Sequence, residues 1–467
     1  MYGVMDNIML YIGLAASLLA IAGMAVWSGV SGKGKSDKKN GMPVVAGIII
    51  GTLVGGSSTV GTAQLAYEYG MSAWWFTLGG GISCLILGLA FAGPLRRAGN
   101  GTLVGIVRQE YGGKAGMAAS VLNSVGTFIN IISQIISATA VIAVVFPTMG
   151  MASMAVIAAV FMALYVMFGG TKGAGMVGIV KTVLLYTAMI SSGIMALVLA
   201  GGAGAFVKMV AEIDNPEGIR FFSLFARGAG KDLGAALSLL LGVLTTQTYA
   251  QAVLSAKSDR AGRLGALASA FLIPPIGVGG ILVGLYMRAH ESMYLGITAK
   301  TALTAFVTAH MPPVMAGIVL GTLFIASVGT GAGLALGIAT MLNQDVAGRL
   351  TDRFDKWIAG GVLEKVWIAA VLAAACILSC GSLGDMILQF AFMSMGLRAA
   401  VVFAPLCGAL FLKGRIGSGR AFCSIIAGPL AVLAGNLLGS PFDPLLISIL
   451  ICLVIMASGL VCSKRRK

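Results

Sequence analysis

Charge is scarce in this chain. Only 10% of its 467 residues are Asp, Glu, Lys or Arg, and acidic side chains are the scarcer kind, 16 against 31 basic ones. Soluble domains carry about 25% charged residues. So small a share, beside 58% apolar residues and 67 glycines, excludes a soluble globular protein and describes an all-α polytopic membrane protein. Histidine is nearly missing, with His290 and His310 alone. The seven cysteines (Cys84, Cys376, Cys380, Cys407, Cys423, Cys452 and Cys462) form no CxxC pair and have no companion histidines. No metal centre of cysteine and histidine ligands is therefore expected, and the cysteines read as small apolar fillers. The parts of an enzyme are missing too: no P-loop, no grouped nucleophile, base and acid, and no soluble stretch to hold them. No cofactor is expected.

The net charge of +15 would suit nucleic acid if it were gathered on one surface. It is spread instead through short loops between apolar runs, so the expected partner is a lipid bilayer. The first run, 8–30, is too long for a signal-peptide core, has no basic residue before it, and is followed by Lys33, Lys35, Lys38 and Lys39. Those flanks put the N-terminus outside.

Apolar runs of about 20 residues give thirteen expected spans: 8–30, 43–68, 72–95, 117–146, 149–168, 176–200, 232–254, 264–287, 312–342, 365–381, 385–412, 421–438 and 442–461. The alternation puts the C-terminus in the cytoplasm. It also gathers Arg96, Arg97, Arg108, Lys114, Lys172, Lys257, Arg260, Arg263, Arg349, Arg353, Lys356, Lys413, Arg415 and Arg420 on the inner side. A multi-pass, monomeric protein of a bacterial inner membrane is expected.

Span 2 is the unusual one. Its middle holds Gly51, Gly55, Gly56, Ser57, Ser58, Thr59 and Gly61, a poor helix, because glycine loses the most backbone entropy and Ser and Thr offer competing hydrogen bonds. An unwound turn at mid-membrane frees peptide groups that lipid cannot satisfy, so it survives only inside protein or beside a watery cavity. Such breaks bind ions and solutes in secondary transporters; a closely packed small-residue helix is the other reading. Span 4 sets Asn123, Thr127, Asn130 and Gln134 on one face, as interhelical glue or as part of a solute path. Span 7 gathers Thr245, Thr246, Gln247, Thr248, Tyr249 and Gln251 at its inner end, and the paired Pro274 and Pro275 bend span 8. Lys181 in span 6 and Arg398 in span 11 are charges at depth, which face a cavity or a partner; snorkelling is the alternative for Lys181. The nearest acid to Arg398 in its own segment is Asp385, over three turns away.

Several stretches resemble the sodium:solute symporter family: GTAQLAYEYGMSAWWFTLG at 61–79, FGG at 168–170, QAVLSAKSDRAGR from Gln251, and ASVGTGAGLALGIATMLNQDV at 326–346. The likeness runs over roughly 10–415. It implies a leucine-transporter-like fold with a 5+5 inverted-repeat core and broken helices. The expected organisation is 1–42 as the first peripheral helix and cytoplasmic loop, 43–200 as the first repeat, 201–231 as an extracellular loop, 232–412 as the second repeat, and 413–467 as two peripheral helices. Residue by residue, the resemblance assigns a sodium site to the carbonyls of Gly51, Val54 and Ala326 and to a hydroxyl pair at Gly329 and Thr330. Here Gly329 has no hydroxyl. The acid often carried one turn into span 6 is Gly178, and three residues on stands Lys181. A hard cation wants oxygen ligands and nearby negative charge. An alternative therefore stands beside sodium: the Lys181 ammonium takes the cation's place, and a proton gained and lost there does the coupling.

The resemblance also implies a solute pocket of Leu53, Ser57, Ser58, Leu239, Gly242 and Phe392. That lining suits a small solute with an apolar body. Arg398 and the half-helix end near Ser57 favour an anion, so a small carboxylate is expected. The implied function is cation-coupled symport by alternating access. A membrane sensor module for a separate kinase is a further alternative, which binding without transport would single out; a channel would need a continuous polar pore lining, whereas the polar groups here cluster at mid-depth beside the break.

Overall fold

The computed structural model describes residues 4–32, 40–99, 101–294, 296–346, 361–380, 387–438 and 443–464. The expected inner-side residues Lys33, Lys35, Lys38, Lys39, Arg349, Arg353 and Lys356, and also Asp385, lie outside the described residues.

Helices account for almost all of the described chain. In order they are α1 (Val4–Gly32), α2 (Met42–Leu53), α3 (Thr62–Tyr69), α4 (Trp75–Ile86), α5 (Ala92–Ala98), α6 (Leu103–Tyr111), α7 (Gly113–Val145), α8 (Met151–Leu199), α9 (Ala203–Ala211) and α10 (Ala229–Leu244). They continue with α11 (Gln247–Leu254), α12 (Asp259–Leu272), α13 (Pro274–Ala289), α14 (Ala302–His310), α15 (Pro313–Met341), α16 (Val362–Ser379), α17 (Ile387–Phe411), α18 (Ser418–Leu437) and α19 (Pro444–Lys464). Helices satisfy their own backbone, which a lipid-embedded chain requires. Large apolar side chains remain uncovered along these rods, including Phe271 at 75% and Ile377 at 72% exposure, as a lipid-facing surface demands.

Among the described residues, eight helical stretches are long and apolar enough to cross a membrane. Counting the bent pair α10–α11 as one makes nine, and four shorter apolar helices accompany them. The thirteen expected spans are therefore not reproduced one for one, for two local reasons. Span 2 is cut short at Leu53 by its own break. Residues 169–175, expected as the loop between two spans, are helical within α8. Their glycines weaken a helix by about 1 kcal/mol each but, unlike proline, delete no hydrogen bond.

The core is formed by α2, α7, α8, α10, α15 and α17, which pack on one another around two interruptions. The first lies between α2 and α3: Val54 turns extended (φ −88, ψ 94), and residues 57–61 resume as one wide turn. The second separates α10 from α11, which meet at Thr245 and Thr246 with a bend of 41°. The proline pair starts α13 and divides it from α12 at Ile273. At one face Asn40 bridges Ala256 and Arg96 pairs with Asp259, which brings the segments around 40, 96 and 256–260 together.

Candidate cation and solute site

The first break depends on glycine for room. A Cβ on Gly55 would stand 2.5 Å from Thr330 Oγ1, and one on Gly56 2.1 Å from Ser137 Oγ, so only bare backbone lets α2 and α3 sit this close to α7 and α15. The freed peptide groups are not bare. Gly55 N–H donates to Ser58 Oγ (2.8 Å), and Gly56 N–H to Gln134 Oε1 (2.9 Å). Gln134 Nε2 donates in turn to Ser57 Oγ at 2.8 Å and to Asn130 Oδ1 at 3.1 Å. The polar stripe of α7 thus ends on the break.

One carbonyl beside the break is met differently. Lys181 Nζ, on α8, donates to Gly51 O (2.5 Å), Ala326 O (2.9 Å) and Thr330 Oγ1 (2.9 Å). An ammonium has three N–H bonds, and here each finds an oxygen. Lys181 is only 2% exposed, so it does not snorkel. Of the five positions assigned to the cation, Gly51, Ala326 and Thr330 converge on this nitrogen. Val54 and Gly329 do not: Val54 serves the helix end through its N–H to Ile50 O, and Gly329 faces the Tyr165 ring. Gly178 explains why no acid stands nearby, since a Cβ there would meet Gly47 O at 2.1 Å. The backbones of α2 and α8 touch at that point, and only glycine fits. A cavity of ≈ 50 Å³, lined in part by Thr52, Tyr165, Lys181, Gly333 and Leu336, opens beside the amine, enough for one or two waters at about 30 Å³ each.

The expected solute residues are buried together with few free polar groups. Leu53 packs on Gly80 of α4, Leu239 on Gly79, and Gly242 on Met395. Phe392 meets Phe76 edge-on at 5.6 Å, and the Arg227 guanidinium lies 5.3 Å from the Phe392 ring centre. Arg227 is paired with the buried Asp232 at 2.7 Å. Both serine hydroxyls are spent, Ser58 on Gly55 and Ser57 on Ser133 and Gln134.

Arg398, on α17, is wholly buried at the second break. It donates to Thr246 Oγ1 (2.7 Å), Ser394 O (3.1 Å), Ser394 Oγ (3.1 Å) and Met395 Sδ (3.0 Å). None of these is an anion. Among the described residues the buried charged side chains are Lys181, Asp232 and Arg398, and Asp232 belongs to Arg227. Two buried cations are left without a carboxylate. The sequence did not assign the break at Thr246 or its contact with Arg398 to the site. The only available signal was the hydroxyl-rich run 245–248, which contains neither glycine nor proline.

The helical bundle thus contains two interrupted helices, each with a buried cation at its interruption. The chain belongs to the sodium:solute symporter family, whose model matches residues 39–428. Among solved structures it shares the fold of a Na+-coupled sialic acid symporter in a substrate-bound outward-open state, at TM-score 0.73 and 17% identity, covering 99% of this chain and 98% of that one. A nucleobase-cation-symport-1 family transporter in a closed conformation with bromovinylhydantoin bound matches at TM-score 0.57 and 13% identity, covering 91% of each. No curated protein matches the sequence. The protein is therefore a membrane symporter of the sodium-transporting class and not an enzyme.

Proposed function

We propose that this symporter moves a small organic anion across a bacterial inner membrane by alternating access, with the Lys181 ammonium standing in the place of the coupling cation. The observation that carries the reading is the coordination of Lys181 Nζ by Gly51 O, Ala326 O and Thr330 Oγ1. A charged amine there ties α2 to α8 and α15. Without its proton the amine has only two N–H bonds and no charge, so at least one tie is lost and the hold on α2 weakens. A proton bound and released at Lys181 therefore biases the equilibrium between the two access states by its differential affinity for them.

Buried charge supports the anionic solute. Arg398 has only neutral partners, and a buried cation without a counter-charge is costly, so a bound carboxylate supplies what the chain lacks. The apolar body would lie among Leu53, Leu239, Gly242 and Phe392.

Sodium coupling is the second reading, favoured by family membership and by the three oxygens themselves, which suit a hard cation. Sodium would have to displace the ammonium. The two cations then exclude each other, and sodium binds better as pH rises. The test is uptake of small organic acids, amino acids and sugars into proteoliposomes, with sodium, potassium or choline, at two pH values. The proposal expects an organic acid to be taken up in choline and driven by a proton gradient. Uptake that needs sodium and ignores the proton gradient would transfer the coupling role to sodium, and uptake confined to sugars would remove the anion.

A further inference from the structure

The two helices that border the breaks meet again at their far ends. α2 stops at the first break, where Lys181 Nζ holds Gly51 O, and α11 starts at the second, where Arg398 donates to Thr246 Oγ1. Away from the breaks, Asn40, just before α2, pairs with Ala256, just past the end of α11, as a parallel bridge. Asn40 N–H donates to Ser255 O (3.0 Å), Lys257 N–H to Asn40 O (2.8 Å), and Asn40 Nδ2 to Ser255 Oγ (2.9 Å). Among the described residues, these are the hydrogen bonds that join the α2 segment to the α11 segment.

One arginine secures this strap. Arg96, on α5, donates through Nη1 to Ala256 O (2.5 Å), Val253 O (3.2 Å) and Leu254 O (3.4 Å), carbonyls that the end of a helix leaves without partners. Its Nε donates at 2.6 Å to Asp259 Oδ1, on the first residue of α12. The α12 helix in turn lies on α2, where a Cβ on Gly265 would stand 2.6 Å from Val45 Cγ1. The far ends of α2, α5, α11 and α12 therefore form one block.

Near the breaks, α15 touches both helices only lightly. Thr52 sets its methyl 3.6 Å from a virtual Cβ on Gly333, and one turn on Thr248 sets its own 3.4 Å from one on Gly337, both ordinary contacts. α2 is held from its other side by α8, through the Gly47–Gly178 contact and Lys181. Both helices end on hinges, the extended Val54 and the 41° bend at Thr245 and Thr246. Between its hinge and the strap α2 is a rod of 12 residues, about 18 Å long.

We infer that the strap of Asn40 with Ser255, Ala256 and Lys257 couples the two breaks, with Arg96 as the residue that positions it. A displacement of α2 at Gly51 is passed through the strap to α11 and shifts Thr246 against Arg398. The reverse transfer has the same strength, because coupling between two sites is reciprocal. The inference depends neither on which cation meets Gly51 O nor on the chemistry of the solute.

Amide exchange of the purified full-length protein in sodium-free buffer reads both directions. Lys181→Met should lower the protection of the 247–256 amides several-fold, and Arg398→Gln that of the 42–53 amides, although neither residue hydrogen-bonds to α11 and α2 respectively in the first case and the second carries no bond to α2. Asn40→Pro removes the N–H that Ser255 O accepts. In that background, each substitution should change protection only at its own break, and in Arg96→Gln both distant changes should shrink several-fold. Should Asn40→Pro fail to fold, Arg96→Gln combined with Ser255→Ala makes the same comparison. Distant losses of the same size with and without the strap overturn the coupling, and so does confinement of each loss to its own break while the strap is intact.

Discussion

The two breaks solve one problem with different chemistry. At the first, glycines make the gap and a lysine from α8 holds it; at the second, two threonines make the gap and an arginine from α17 holds it. Both cations are buried and neither touches a carboxylate. Lysine can give up its proton, whereas arginine stays charged under all working conditions. On the proposed reading, the first break is the one that switches and the second the one that holds an anion. Had both been arginine the pair would carry charge but no coupling step.

Exchanging the two kinds of cation should break this contrast most severely. Lys181→Met removes a charge held by three oxygens, and proton-driven uptake should fall at least about 100-fold, the scale of ~3 kcal/mol for a disrupted buried polar cluster. Lys181→Arg sharpens the point: binding of the solute survives, but a pH gradient no longer drives its accumulation, as counterflow against net uptake would separate. At the other break, Arg398→Gln should weaken organic-acid binding by about 10- to 100-fold, the worth of charge-assisted hydrogen bonds. Unchanged uptake in that variant would make the arginine structural only. Thr330→Val deprives the ammonium of one acceptor of three. A smaller loss, about 5- to 30-fold in uptake, is expected from a cost of ~1–2 kcal/mol.

The smallest effect lies away from both breaks. Burial, and then the neighbouring His290, hold the His310 imidazole below its ordinary pKa. Its neutral form is favoured when folded, so the stability it contributes is present above about pH 6.5 and is lost as pH falls. Protection of the amides in 290–310, taken relative to their intrinsic exchange rates, should fall modestly at pH 5.5, and His310→Phe should flatten that response.

Much of this was legible in the sequence where composition acts locally. The glycine and serine content of 51–61 marked the stretch in which Val54 turns extended, because glycine acts through its own backbone. Lys181 and Arg398 stood out because a charge inside an apolar run has few explanations. The second break was not legible: Thr245 and Thr246 remain compatible with helix, and only the bend between α10 and α11 makes Thr246 Oγ1 an acceptor for Arg398. Nor did the sequence indicate that the freed amides of Gly55 and Gly56 are taken by Ser58 and Gln134, a pairing set by how α7 docks. That the Lys181 amine meets three of the assigned oxygens was likewise a matter of reach, since Gly178 lets α2 approach α8 closely enough for it to arrive.

Binding of radioactive sodium to the purified protein, followed against pH in wild type and Lys181→Ala, addresses the Lys181 site most directly. If the ammonium occupies the oxygens of Gly51, Ala326 and Thr330, wild type binds sodium weakly near neutral pH and more tightly as pH rises, while Lys181→Ala binds it tightly at every pH. Tight, pH-independent binding by wild type that Lys181→Ala leaves unchanged would contradict the account.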